Sequence, residues 1–131
     1  MIKNVYGKEI KGCEFAGFFY PKNKEELNKL LDDYFNIKET FDIKGEILGI
    51  ISPHAGYIYS GKVSAYSYKI LENRKFDTIL ILGPSHHYLF KGLSIYPNGY
   101  FDTPFGMLEV DEDIAKEFKE LDFVNYERRY F

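Results

Sequence analysis

The sequence predicts an α/β domain built on a mostly parallel sheet flanked by helices. Three observations lead there. Two short apolar runs, residues 46–52 and 77–82, have the length and β-branched content of buried strands rather than helices. A helical pattern lies between them, and strand, helix, strand with apolar strands marks a parallel βαβ unit covered on both faces. The bulk composition agrees, since a chain of 131 residues that is 45% hydrophobic and 28% charged is an ordinary globular domain. A single domain spanning 1–131 is expected.

The first element is a helix over Lys24–Phe35. Asn23 followed by Glu26 has the spacing of a capping box. Leu27, Leu30, Leu31 and Tyr34 then recur at helical intervals on one stripe. The run Glu46–Ser52 follows as a strand, ended by Pro53, which has no N–H for a ladder. A second helix is expected over Gly61–Asn73, with Ser60 as its N-cap and Val63, Tyr66, Ile70 and Leu71 facing inward. Asp77–Leu82 is the next strand, closed by Gly83-Pro84. Leu93–Tyr96 and Met107–Val110 read as short strands around a loop. A last helix runs over Glu112–Glu120, capped by Asp111, with three acidic residues at the positive end of its dipole.

Several function classes drop out. The formal charge is −3 and the sequence pI about 5.6, with no basic block, so binding to nucleic acid through phosphate contacts is not expected. The N-terminus lacks the apolar run of a signal peptide, and no stretch approaches the roughly 18 apolar residues needed to span a bilayer. A cytoplasmic location, with no membrane association, is the expectation. Cys13 is the single cysteine, so it forms no disulfide within the chain and reads as a semi-buried apolar residue. Twelve Tyr and twelve Phe make the chain rich in aromatics, and it stops on Tyr130-Phe131 without a polar tail. Domain ends are usually solvated, so this end reads like a domain cut partway.

The informative residues follow the two strands. Pro53-His54-Ala55-Gly56-Tyr57 comes after the first and Gly83-Pro84-Ser85-His86-His87 after the second. Ligands of open parallel sheets bind just beyond the carboxyl ends of the strands. The two histidines are separated by the length of one βαβ unit, and neighbouring strands lie about 4.8 Å apart, so both imidazoles can meet on one ion. Imidazole suits Zn, Fe or Cu, and as a neutral ligand it leaves a divalent ion most of its Lewis acidity. Bland alternatives stand beside each assignment. A lone His after a strand is more often structural than a ligand. His87 is either a donor behind the ligands or an exposed neighbour. Ser85 has a hydroxyl near histidines but no Gly-x-Ser-x-Gly elbow. Tyr57, Tyr59 and Tyr66 line a pocket or are simply core and surface aromatics.

These residues also carry a resemblance. Ala16-Gly17-Phe18-Phe19-Tyr20-Pro21, Ser52–Gly61, Ile81–His87 and Thr103-Pro104-Phe105-Gly106 leading into Val110-Asp111 occur in the order and form of the Memo-like family, called AmmeMemoRadiSam system protein B in prokaryotes. That family is similar in structure to the class III extradiol dioxygenases, non-haem iron enzymes. The resemblance implies that this chain is the N-terminal half of such a domain, with His54 and His86 as two metal ligands and His87, Tyr57 and Ser85 around them. The family's third ligand is a cysteine far downstream, which this chain lacks. Replacing the iron-site carboxylate by a thiolate weakens the case for dioxygenase chemistry, so metal carriage or peptide binding as an adaptor is the alternative function, and a truncated fragment without independent activity a further one. Small molecules or peptides are the expected ligands. A C-terminal half on another chain, or self-association, is the expected partner for an unfinished sheet edge.

Overall fold

The computed structural model describes residues 2–3, 7–39, 41 and 43–125. In chain order the elements are β1 (Ile2–Lys3), β2 (Glu9–Lys11), α1 (Lys24–Phe35), α2 (Tyr57–Lys69), β3 (Leu93–Ser94), β4 (Tyr100–Thr103), β5 (Gly106–Glu109), α3 (Glu112–Lys119) and β6 (Val124–Asn125). This is the α/β content that the sequence predicts. They group into two compact units, Glu14–Lys75, and Met1–Cys13 together with Phe76–Phe131. No helix among the described residues is long and apolar enough to cross a membrane.

The Glu14–Lys75 unit is a helix pair fronted by an aromatic turn. α1 starts where the capping pattern places it: Asn23 Oδ1 accepts the Glu26 N–H at 2.9 Å, and Glu25 and Glu26 sit at the positive end of the dipole. Leu27 is buried and Leu30, Leu31 and Tyr34 are half-buried along the same stripe. α2 departs from expectation. It opens at Tyr57, four residues earlier than predicted, with Gly56 at the N-cap and no side-chain cap. Ser60 is not the cap; it lies inside the helix and its hydroxyl donates back to Ala55 C=O at 2.8 Å. The buried face is also different. Ser60, Gly61 and Ala65 are buried, whereas Val63 and Tyr66 are exposed. Small residues win because the Tyr34 ring packs directly over Gly61, where any Cβ would overlap it.

In the other unit, β1, β2, β4 and β5 form one sheet in that order. The β1–β2 and β4–β5 pairs are antiparallel and β2–β4 is parallel; β3 and β6 form a separate parallel pair. The β4–β5 hairpin is closed by Thr103, whose hydroxyl donates to Gly106 C=O at 2.7 Å and accepts the Phe105 N–H at 3.2 Å. Asp111 caps α3, accepting the Ile114 N–H at 3.1 Å, and Ala115 is buried beneath it. The Thr78 hydroxyl donates to the other oxygen of Asp111, and this bond is the first cause of the lowered pKa of that carboxyl.

The two apolar runs read as parallel strands are the main correction. Residues 46–52 and 77–82 carry neither helix nor ladder. Parallel strands are held by neighbours on both edges and layers on both faces. Here Leu48, Ile51, Ile79, Ile81 and Leu82 are all exposed, so those neighbours are missing among the described residues. The parallel pairing present runs through β2–β4 and β3–β6 instead.

One electrostatic cluster spans the ends of this unit. Lys8 Nζ lies 2.9 Å from Glu112 Oε1 and 3.2 Å from Glu109 Oε1, and 5.7 Å from the centre of the Tyr100 ring. Hydrogen bonding to the Glu112 and then the Glu109 carboxylate holds the Lys8 ammonium above its ordinary pKa of 10.5, while the bond from Lys8 is the first cause that lowers Glu112 below 4.5. The raised lysine stabilises the fold fully below 10.5 and loses that stabilisation as the pH rises through its folded value. The lowered carboxyl stabilises above 4.5 and loses it as the pH falls through its folded value. The groups are solvent-exposed, so the effect is small and screened by salt. Lys8→Met is expected to lower the thermal midpoint at neutral pH, with the gap to wild type closing as the pH falls below 4.5. Thermal scans at several pH values check this, and a gap that persists in strong acid would rule the ion pair out as its cause.

Candidate functional site

His54 projects from the turn that leads into α2 and is exposed. The carbonyls on either side of it are both held by helix hydroxyls. Ser64 Oγ donates to Pro53 C=O at 3.3 Å and Ser60 Oγ to Ala55 C=O at 2.8 Å. A further serine one turn along, Ser67, donates to Ile51 C=O at 3.2 Å. The spacing of these serines puts all three hydroxyls on the side of α2 that faces the incoming chain. The signal in the sequence is Ser60, Ser64 and Ser67 on a helix just after Pro-His-Ala, whereas cap chemistry singles out Ser60 alone.

Tyr57 anchors the next step. Its N–H donates to Phe19 C=O at 2.7 Å and its own C=O accepts the Tyr34 hydroxyl at 3.2 Å. Its ring leans on Tyr20, with centroids 5.5 Å apart. Burial first, and then the charge of Tyr68, pushes the Tyr57 phenol above its ordinary value, so at neutral pH it is a hydrogen-bond donor and not a base. Gly56 is buried against the Phe19 backbone. The Ala16–Tyr20 motif therefore acts as a brace for the His54 turn within its own unit.

Ser85, His86 and His87 lie in the other unit, all exposed. Ser85 Oγ donates to Tyr88 C=O at 2.7 Å and accepts the Tyr88 N–H at 3.3 Å, closing a four-residue turn with the two histidines at its centre. That is a shaping role, and it occupies the hydroxyl that a nucleophile would need. Tyr59 is exposed and Tyr66 meets Phe41 edge-on at 5.9 Å. Cys13 Sγ lies 3.6 Å from Asp102 Oδ2, away from both turns in sequence. Among the described residues, no three His, Cys, Asp or Glu side chains gather where they could hold an ion. An imidazole is a donor that suits a transition metal.

The family model for Memo-like proteins matches residues 12–130. The chain belongs to the Memo-like family. Its relatives include a MEMO1 family protein of Aquifex aeolicus, 40% identical over 110 residues that cover 84% of this chain and 40% of the relative. A MEMO1 family protein of Thermoplasma volcanium is 36% identical over 108 residues, 82% of this chain and 39% of the relative. One from Methanococcus maripaludis is 42% identical over 120 residues, covering 84% and 42%. This Memo-like chain thus spans about two-fifths of the length of the curated relatives it matches. Both histidine turns and the Ala16–Tyr20 brace fall inside the region matched by the family model.

Proposed function

We propose that this Memo-like chain contributes two histidine ligands, His54 and His86, to a divalent metal site. The observation that carries the reading is the build of the His54 turn. Flanking carbonyls bound by Ser60 and Ser64, and a Tyr57 backbone bound at both ends, fix the path of the chain that carries the exposed His54. Such outer support is what orients a metal ligand. Membership of the Memo-like family adds to it.

Fe, Cu or Zn fits the donors, and a bound ion would supply Lewis acidity or, for Fe and Cu, redox chemistry. The chain's own part is to hold and orient. His54 is held by α2, His86 by the Ser85–Tyr88 turn, and His87 stands next to it as a second imidazole able to carry a proton. Tyr57 braces the first turn and keeps its proton. An oxidoreductase of the dioxygenase-like kind is the enzymatic form of this reading; metal carriage with peptide binding is the non-enzymatic one.

Calorimetric titration of the chain with Zn(II) tests the proposal. His54→Ala and His86→Ala should each weaken binding by about tenfold or more, as expected when an open site loses one of its few ligands. Wild-type affinity in both variants would end it. Loss of binding in only one would reduce the site to that histidine alone.

A further inference from the structure

α2 begins without the side-chain cap that commonly starts a helix. Gly56 at its N-cap offers no oxygen to the orphan amides. The first turn is held from outside instead. Tyr57 N–H donates to Phe19 C=O at 2.7 Å, and Tyr57 C=O accepts the Tyr34 hydroxyl at 3.2 Å. A helical carbonyl bonds the N–H four residues on and keeps a second lone pair, which the phenol takes. The ring that carries this phenol lies over Gly61, one turn further along, where a Cβ would overlap it. Tyr34 therefore touches α2 at two successive turns, by its hydroxyl at Tyr57 and by its ring at Gly61. Ser60 and Ser64, which bind the carbonyls on either side of His54, flank the second of these points in the sequence. Every member of this series of contacts lies within the Glu14–Lys75 unit.

We propose that Tyr34 is a positioning residue for His54: its hydroxyl, bound to Tyr57 C=O, fixes the first turn of α2 and with it the His54 turn. The effect on an ion rests on reading His54 as a metal ligand, whereas the positioning itself is a property of the metal-free chain. Ring and hydroxyl divide the work. The ring sets how closely α1 and α2 approach, a task that phenylalanine would perform equally. The hydroxyl adds direction, because a bond aimed at one carbonyl resists rotation of α2 about its axis, and ring contact alone does not. A ligand carried on a turn held in this way has less freedom to lose when it meets an ion. The coupling is reciprocal, so an ion bound at His54 also steadies the last turn of α1.

Tyr34→Phe keeps the ring over Gly61 and removes only the hydroxyl. With EDTA present, amides of residues 57–61 should exchange about threefold faster or more in this variant, while those of α3 stay unchanged. Calorimetric titration with Zn(II) should then show binding weakened about three- to tenfold. Asn23→Ala is the control for a merely structural role. It removes the cap at the other end of α1, about 16 Å along the helix, and lowers stability without touching Tyr34. Its Zn(II) affinity should equal that of wild type. Unchanged exchange at 57–61 in Tyr34→Phe overturns the proposal. So does equal Zn(II) affinity in Tyr34→Phe and wild type, or an equal loss of affinity in Asn23→Ala. A wild-type chain that binds no Zn(II) counts against the metal site alone, and the exchange measurement still decides whether Tyr34 places the turn.

Discussion

Gly99→Ala should cost about 2–6 kcal/mol of stability in the Met1–Cys13 and Phe76–Phe131 unit. Two separate terms add. Gly99 has φ +95°, a conformation that strains an L-residue by roughly 1–3 kcal/mol. A Cβ there would also run into the Glu9 carbonyl, which is main chain and cannot swing away, and overlap of this kind costs about 1–3 kcal/mol. The position is a crossing point: Gly99 C=O accepts the Val110 N–H at 2.9 Å just where β2, β4 and β5 come together. Gly7→Ala separates the terms. Its φ is +74°, yet nothing lies within 4 Å of the added carbon, so it carries strain alone. Urea unfolding of both variants measures the difference. Equal losses would mean that the close approach of Glu9 to Gly99 contributes nothing.

Gly61→Ala tests the helix pair, and here two effects oppose. Replacing a mid-helix glycine by alanine ordinarily gains about 1 kcal/mol. Against it, the new methyl would overlap the Tyr34 ring. That ring is not free to move aside, because its hydroxyl donates to Tyr57 C=O at 3.2 Å, at the base of the His54 turn. Overpacking of about 2–3 kcal/mol should win, leaving a net loss of roughly 1–2 kcal/mol. Tyr34→Leu in the same chain removes the obstacle, so the double variant should be more stable than the sum of the two single changes, a coupling that only contacting residues display. A stabilised Gly61→Ala would show that helix propensity decides this position, and the packing account would fail.

How far such features could be read from sequence depends on their range. α1 and α3 were legible because their caps are local: Asn23 meets Glu26 and Asp111 meets Ile114, each within one turn. α2 was legible as a helix but not in its start or its inward face. Ser60 has the chemistry of a cap, and nothing nearby in sequence says that its hydroxyl will turn back to Ala55. Val63 and Tyr66 outrank Gly61 and Ala65 in hydrophobicity, and only the Tyr34 ring, 27 positions away, reverses that order. The apolar runs 46–52 and 77–82 have strand composition, but a ladder depends on neighbours that composition cannot supply. Lys8 and Glu112 stand 104 positions apart, so their ion pair had no local signal at all. The histidines were visible as residues, and family membership followed from the motifs around them. Their convergence on one ion is a long-range matter and remains a proposal.

The serines of α2 do more than satisfy carbonyls. Because Ser64 and Ser60 grip the carbonyls of Pro53 and Ala55, the residues on either side of His54, the chain there takes its bearing from the screw of the helix. Insertions upstream of Ile51, which Ser67 ties to the same helix, can therefore accumulate without disturbing this turn. A single residue added or lost between Ser60 and Ser64 would swing one grip around the axis by about 100° relative to the other and release the turn.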